Sequence, residues 1–256
     1  MRHLDLFSGI GGFALAARWA GIETVGFCEI EEFPRKVLQK NFPGIPIHND
    51  IRELNGEEYE GIDIITGGYP CQPFSEAGNK RGQKDDRHLW PEVFRIVKQA
   101  RPTWVVCENV AGHITLGLDD VLFDLEGEGY ATRALIIPAC AADARHKRNR
   151  VWIIANATSD RDLGGHRDIS KADEGEQAQE ESRENEAWKC INGGASPRNV
   201  SSIKAGQARG ADEWQAEPRI QRVVDGIPDR VDRVKSLGNA IVPQVAYQIL
   251  RAIQSC

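Results

Sequence analysis

Short apolar runs alternate with amphipathic stretches through residues 3–155, and that alternation restricts the fold more than any other feature of the chain. His3–Phe7 reads as a strand and Ala14–Ala20 as a helix. Glu23–Cys28 reads as a strand, followed by a helix over Glu31–Asn41. Ile62–Thr66 and Trp104–Cys107 are short buried strands on either side of a helix, His88–Ala100. A helix over Val121–Glu128 and strands over Ala131–Pro138 and Val151–Ala155 complete the series. A β-α-β-α order of this kind predicts an α/β fold with a doubly wound, mostly parallel sheet. Ligands on such sheets bind beyond the C-terminal ends of the strands.

The pattern stops near Asn156. From there to Pro218 the chain is rich in Glu, Asp, Gln, Asn, Gly and Ser, and its large apolar residues, Trp188 and Trp214 among them, stand alone. Order returns near Ile220, and Ile241–Ile253 reads as a final amphipathic helix after Gly238-Asn239. The expected organisation is an ordered block over 1–155, a polar and partly disordered insertion over 156–219, and a return to the first block over 220–256.

A chain of 256 residues suits one domain with a small second lobe. No apolar run approaches the roughly 18 residues of a membrane span. Charge and glycine break the apolar stretch of the N-terminus, so it does not read as a signal peptide. A cytoplasmic monomer is the expectation. The net charge of −6 argues mildly against a nucleic-acid partner. The basic residues cluster, however, at Lys80, Arg81, Lys84 and Arg87, at Arg145–Arg150 and at Arg219–Lys235, so a basic face can hide in an acidic total.

One stretch raises a chemical question. Gly67-Gly68-Tyr69-Pro70-Cys71-Gln72-Pro73-Phe74 follows the strand Ile62–Thr66 and sets a thiol at its exit. The six cysteines form no C-x-x-C pair, so a zinc site has little support and no metal is expected. Their scatter argues against a disulfide framework. Cys71 is then packing filler or a nucleophile; a thiol at a glycine-proline strand end is open to attack chemistry. Glu108 follows Trp104–Cys107, a neighbouring strand by this reading, and would share its cleft.

At the other end, Asp5-Leu6-Phe7-Ser8-Gly9-Ile10-Gly11-Gly12-Phe13 is a strand feeding a glycine turn and a helix. Glycines admit a ligand close to the backbone, and a helix N-terminus favours negative charge. Glu29 lies about 20 residues past the first glycine, where an acid binds a ribose diol. Asp50 follows the third segment and suits an adenine edge. An adenosine-containing ligand follows; a GxGG turn alone does not separate a nicotinamide dinucleotide from S-adenosyl-L-methionine.

Taken together, DLFSGIGGF, GGYPCQPFSEAGNKRG, ENV, RHKRNRVWIIA and SLGNAIVPQVA resemble, in order, the motifs of the C5-cytosine-specific DNA methyltransferase family, prokaryotic or phage type. The resemblance implies a Rossmann-like, S-adenosylmethionine-dependent enzyme acting on double-stranded DNA, of the kind found in restriction-modification. It implies that Cys71 adds to C6 of a flipped-out cytosine. Glu108 would contact N3 and the amino group, with Arg148 and Arg150 supporting the base and Glu108. It implies a cofactor pocket of Phe7, Gly9, Gly11, Gly12, Glu29, Ile30, Asp50, Ile51, Pro70, Leu89 and Asn239. Residues 156–219 would read the target sequence, and the loop Ser75–Arg87 would close on DNA. His146 stands where the family often has Gln. An RNA cytosine-C5 methyltransferase and a catalytically weak DNA-binding relative are the alternatives.

Overall fold

The computed structural model describes residues 1–70, 89–115, 117–158 and 229–255. Its strands are β1 (Arg2–Leu6), β2 (Glu23–Cys28), β3 (Ile47–His48), β4 (Ile64–Gly67), β5 (Trp104–Val110), β6 (Tyr130–Pro138) and β7 (Asn149–Ala157). Its helices are α1 (Gly12–Trp19), α2 (Glu32–Asn41), α3 (Trp90–Ala100), α4 (Leu118–Gly127), α5 (Arg230–Asn239) and α6 (Pro243–Gln254). The strands form one sheet in the order β3-β2-β1-β4-β5-β7-β6. β1 to β5 run parallel, and β7 is antiparallel to both neighbours. A parallel crossover needs a dozen or more residues, usually with a helix. Only residues 139–148, with a 3₁₀ turn at Ala139–Ala142, join β6 to β7, so this pair closes antiparallel.

The period-2 alternation of the central strands gives each face its own core. Leu4, Leu6, Ile65, Val105, Cys107, Val151, Ile153 and Ala155 belong to a core completed by Val93, Ile96 and Val97 of α3 and Val121 and Leu125 of α4. Ile64, Trp104, Val106, Trp152 and Ile154 belong to the opposite core, with Phe13 and Ala17 of α1 and Val245, Ile249 and Leu250 of α6. Trp152 meets Phe13 edge to face at 5.9 Å. Each such large side chain contributes about 1.5–3 kcal/mol when fully buried. Helices on both faces of a mostly parallel sheet match the expected class. Cys28 and Cys107 are core thiols, and burial pushes both up to about 12, as suits inert packing.

Several elements differ from the sequence reading. β5 runs on through Glu108, Asn109 and Val110, which were expected to follow it. Antiparallel pairing with β7 continues to Val110↔Arg150, and that ladder holds these polar residues in the strand. β3 and α5 were not expected. α5 includes Gly238-Asn239, which the sequence reading placed only ahead of the last helix. Most of the 156–219 insertion and the loop Ser75–Arg87 lie outside the described residues. Among the described residues, no helix is long and apolar enough to cross a membrane.

Candidate active site

The C-terminal ends of β1 to β5 lie side by side, and the chemistry-bearing residues gather there. β1 leads into Phe7, Gly9 and Gly11, all at positive φ (53°, 52° and 86°). A non-glycine residue at positive φ is strained, typically by about 1–3 kcal/mol, and persists where its surroundings enforce it. Here the turn is tied down on both sides. Ser8 Oγ donates to the Asp5 carbonyl at 2.6 Å, and the Ser8 N–H donates to the Cys28 carbonyl at 3.1 Å. A Cβ on Gly11 would lie 2.7 Å from Phe42 Cε2, and one on Gly12 2.7 Å from Ile241 Cγ1. A Cβ on Gly9 would meet nothing within 4 Å among the described residues, which leave open space against the turn. That is the cradle an adenosine-bearing ligand requires.

Glu29, just past β2, closes the cradle. Its Oε2 accepts the Gly9 N–H at 2.7 Å and its Oε1 accepts the Glu31 N–H at 2.8 Å. Burial raises its pKa, and those two backbone bonds oppose the shift. Two carboxylate oxygens offer about four acceptor sites, so Glu29 keeps capacity for a diol. Ile30 is exposed beside it. Asp50, past β3, accepts the Arg52 N–H at 3.0 Å. The Ile51 side chain is buried in the core, and its carbonyl accepts from Arg95 Nη2 at 2.7 Å, which leaves it little freedom to meet a ligand. Pro70 is exposed at the β4 exit, while Leu89 is half-buried as the N-cap of α3. Asn239 is exposed at the end of α5. Lys235 of α5 pairs with Glu31 at 2.6 Å, which draws this helix to the Glu29 side of the site.

The second half of the site stands on β5 and β7. Glu108 is opposite Trp152 and Val110 is opposite Arg150, so Glu108 and Arg150 are diagonal neighbours on one face. Arg150 Nε lies 3.0 Å from Glu108 Oε1. Burial raises the Glu108 pKa, while Arg150 and Arg148 oppose the shift. Arg148 does something the sequence did not suggest. Its Nη2 donates to the main-chain carbonyls of Gly238 (2.9 Å) and Ala240 (2.8 Å), strapping the end of α5 to the start of β7. Its Nε is buried without a partner among the described residues. Of the expected catalytic set, then, the structure joins Glu108 directly to Arg150, and Arg148 to the segment carrying Asn239. Cys71 lies outside the described residues.

Three residues not singled out from sequence hold the β4 exit. Asn109 Nδ2 donates to the Tyr69 carbonyl at 3.1 Å, and Tyr69 Oη pairs with His113 Nε2 at 2.8 Å. A Cβ on Gly68 would lie 3.8 Å from Glu108 Oε2, so the β4 exit passes beside the carboxylate. The signals for Asn109 and Tyr69 were their places in ENV and GGYPCQPF; nothing in the pattern marked His113.

The family model of the C-5 cytosine-specific DNA methylases matches residues 1–223. The chain belongs to that family. Among similar members are the Type II methyltransferases M2.BsuMI of Bacillus subtilis and M.HhaI of Haemophilus parahaemolyticus. The first is 34% identical over 172 residues, covering 62% of this chain and 43% of the relative. The second is 33% identical over 159 residues, covering 60% and 48%. The chain thus spans less than half the length of these relatives. Among solved structures, a putative DNA modification methyltransferase encoded within an Escherichia coli prophage matches with a TM-score of 0.52 at 25% identity, over 68% of this chain and 57% of that one. The Spodoptera frugiperda Dnmt2 structure matches with a TM-score of 0.54 at 23% identity, over 68% and 53%, a likeness of fold. Members of this family use S-adenosylmethionine as methyl donor. The positive-φ turn, the open space at Gly9 and the Glu29 carboxylate fit that group.

Proposed function

We propose that this chain methylates C5 of cytosine in double-stranded DNA. The observation that carries the reading is the buried Glu108–Arg150 pair, one strand from the β4 exit that leads through Pro70 to Cys71. Cytosine C5 is a poor nucleophile until C6 is attacked, which calls for covalent catalysis. The Cys71 thiolate forms the S–C6 bond, and the displaced electron pair passes towards C5 and N3. Glu108 passes a proton to N3 and offsets the charge developing on the ring, and the burial that raises its pKa favours the form that carries that proton. Arg150 fixes the carboxyl in place. S-adenosylmethionine supplies the methyl group to C5 when bound. Loss of the C5 proton to a base then restores the C5–C6 double bond, breaks the S–C6 bond to release the Cys71 thiolate, and N3 returns its proton to Glu108.

In this reading Phe7, Gly9, Gly11, Gly12, Glu29, Ile30, Asp50, Pro70, Leu89 and Asn239 hold the cofactor, with Glu29 on the ribose diol and Asp50 at the adenine edge. Ile51 serves from the core side. The target base has to leave the helix stack to reach the carboxyl and the thiol. The stretch 156–219 reads the DNA sequence, and residues 1–155 and 220–256 form the catalytic unit. Bisulfite sequencing of DNA from cells expressing the chain tests this. Protected cytosines in one sequence context support it. No protected cytosine, or labelled methyl appearing in RNA alone, counts against it.

A further inference from the structure

Helix α3 grips the loop after β3 with a set of polar contacts that the proposed chemistry does not use. Glu92, Arg95 and Gln99 recur at helical spacing and so share one face of α3. Arg95 Nη2 donates to the Ile51 carbonyl at 2.7 Å, and its Nη1 donates to the Leu54 carbonyl at 2.9 Å and to Gln99 Oε1 at 2.9 Å. Its Nε donates to Glu92 Oε2 at 2.9 Å, which balances the charge. Gln99 Oε1 also accepts the Gly56 N–H at 3.0 Å. A planar guanidinium offers its donors in a fixed fork, so Arg95 sets the spacing of the Ile51 and Leu54 carbonyls as well as capturing them. The side chains of Ile51 and Leu54 are buried in the core on the same side.

The grip reaches Asp50 through a single peptide plane. The Glu53 N–H donates to the Asp50 carbonyl at 3.1 Å, closing a turn over Asp50–Glu53. That bond ties the ends of the turn and leaves its middle peptide, Ile51–Arg52, to be held by something else. The peptide is planar and trans, so its carbonyl and its N–H point opposite ways. Arg95 holds the carbonyl. On the other side, the Arg52 N–H donates to Asp50 Oδ1 at 3.0 Å. The orientation that Arg95 imposes on the carbonyl is therefore the one in which the N–H meets Asp50. With Oδ1 held in this way, Oδ2 has Arg52 Nη1 at 3.6 Å, an exposed contact of little strength, and stays available to a donor on a ligand.

We propose that Arg95 is a positioning residue for the adenine edge of the cofactor: by fixing the Ile51–Arg52 peptide it aims the Asp50 carboxylate at the exocyclic amino group. The inference rests on the reading of Asp50 as the adenine contact. Arg95 acts from the α3 side of the loop and through the peptide, so its loss shows in how well the site tells one purine from another.

The test is calorimetric titration with S-adenosylhomocysteine, the product left when the methyl group is transferred, and with its deaminated form, S-inosylhomocysteine. The two differ at C6 of the purine, where an oxygen acceptor replaces the amino donor, and the quantity read is the ratio of their Kd values. Wild type prefers the adenosyl compound by at least about tenfold, as expected for a hydrogen bond to a charged group, and Asp50→Ala prefers it by less than about threefold. Arg95→Met brings the preference below about threefold as well. Val97→Ala, a core truncation on the same helix, lowers stability but keeps the wild-type ratio. A wild-type ratio in Arg95→Met, or a ratio lost equally in Val97→Ala, overturns the proposal and leaves Arg95 a stabiliser of the fold alone. Should Arg95→Met fail to fold, Arg95→Lys serves: one ammonium cannot reproduce the fork across both carbonyls, so its ratio falls below that of wild type, and an unchanged ratio is contrary evidence. Should wild type bind both compounds equally, or neither, or should Asp50→Ala discriminate as wild type does, the adenine reading of Asp50 fails and takes the proposal with it.

Discussion

Arg150→Met isolates what the ion pair with Glu108 does. The two side chains keep only 21% and 10% of their exposure, so the pair is not a screened surface contact. Removing one partner of a buried pair costs about 3–5 kcal/mol, chiefly by leaving the other charge unmatched. The partial exposure of Arg150 places the loss near the low end, about 3 kcal/mol, or roughly 6–12 °C in melting temperature for a chain of this size. The loss depends on pH with a definite sign. The folded-state pKa of Glu108 is already raised by burial, and Arg150 is the largest opposing influence, so the substitution raises it further. Stability of the variant therefore falls relative to wild type as pH climbs above the ordinary glutamate range, and the gap narrows towards about pH 4, where Glu108 is protonated in both states. Urea unfolding at about pH 5 and pH 8 measures this, with the same substitution in a Glu108→Gln background, where it costs less than about 1 kcal/mol. Equal losses at both pH values, or an undiminished loss in the Glu108→Gln background, would refute the reasoning.

Glu29→Ala removes the acceptor of both the Gly9 and Glu31 N–H groups as well as the proposed diol contact. Calorimetry is expected to show cofactor affinity lowered by at least about tenfold, from charge-assisted bonds of about 1.5–3 kcal/mol, with thermal stability lowered too. Gly11→Ala sets a methyl 2.7 Å from Phe42 Cε2 and 3.0 Å from Leu38 Cδ2 at φ 86°, so chemical denaturation is expected to register a loss of about 1–3 kcal/mol.

The alternation of apolar and amphipathic segments made the sheet legible, because the central strands are buried on both faces and the helices on one. It also made β4 and β5 neighbours, and so brought Glu108 to the β4 exit. β3 escaped notice because two residues carry no period. The length of β5 was hidden because Glu108 and Asn109 read as the polar start of a loop. They stay in the strand because Arg150 and the Tyr69 carbonyl satisfy them. α5 was missed for a related reason. Its sequence RVDRVKSLGN is charged and holds a glycine, and what fastens it lies far away in sequence: Glu31 through Lys235, and Arg148 through the Gly238 and Ala240 carbonyls. Tertiary partners of this kind leave no local pattern. The glycine turn and Glu29 were legible as neighbours at the strand ends, yet the work Glu29 does for the turn itself was not.

The central claim is a covalent bond between Cys71 and cytosine C6, and a duplex carrying 5-fluorocytosine in the methylated context tests it most directly. Fluorine at C5 blocks the proton loss that would release the thiolate, so the adduct should persist in the presence of S-adenosylmethionine. Intact-mass analysis is expected to show one protein chain joined to one strand, with the linkage mapping to Cys71 and absent from Cys71→Ser, which still binds the cofactor. Methylation of unmodified DNA by Cys71→Ser at the wild-type rate, or an adduct mapping to another residue, would contradict the account.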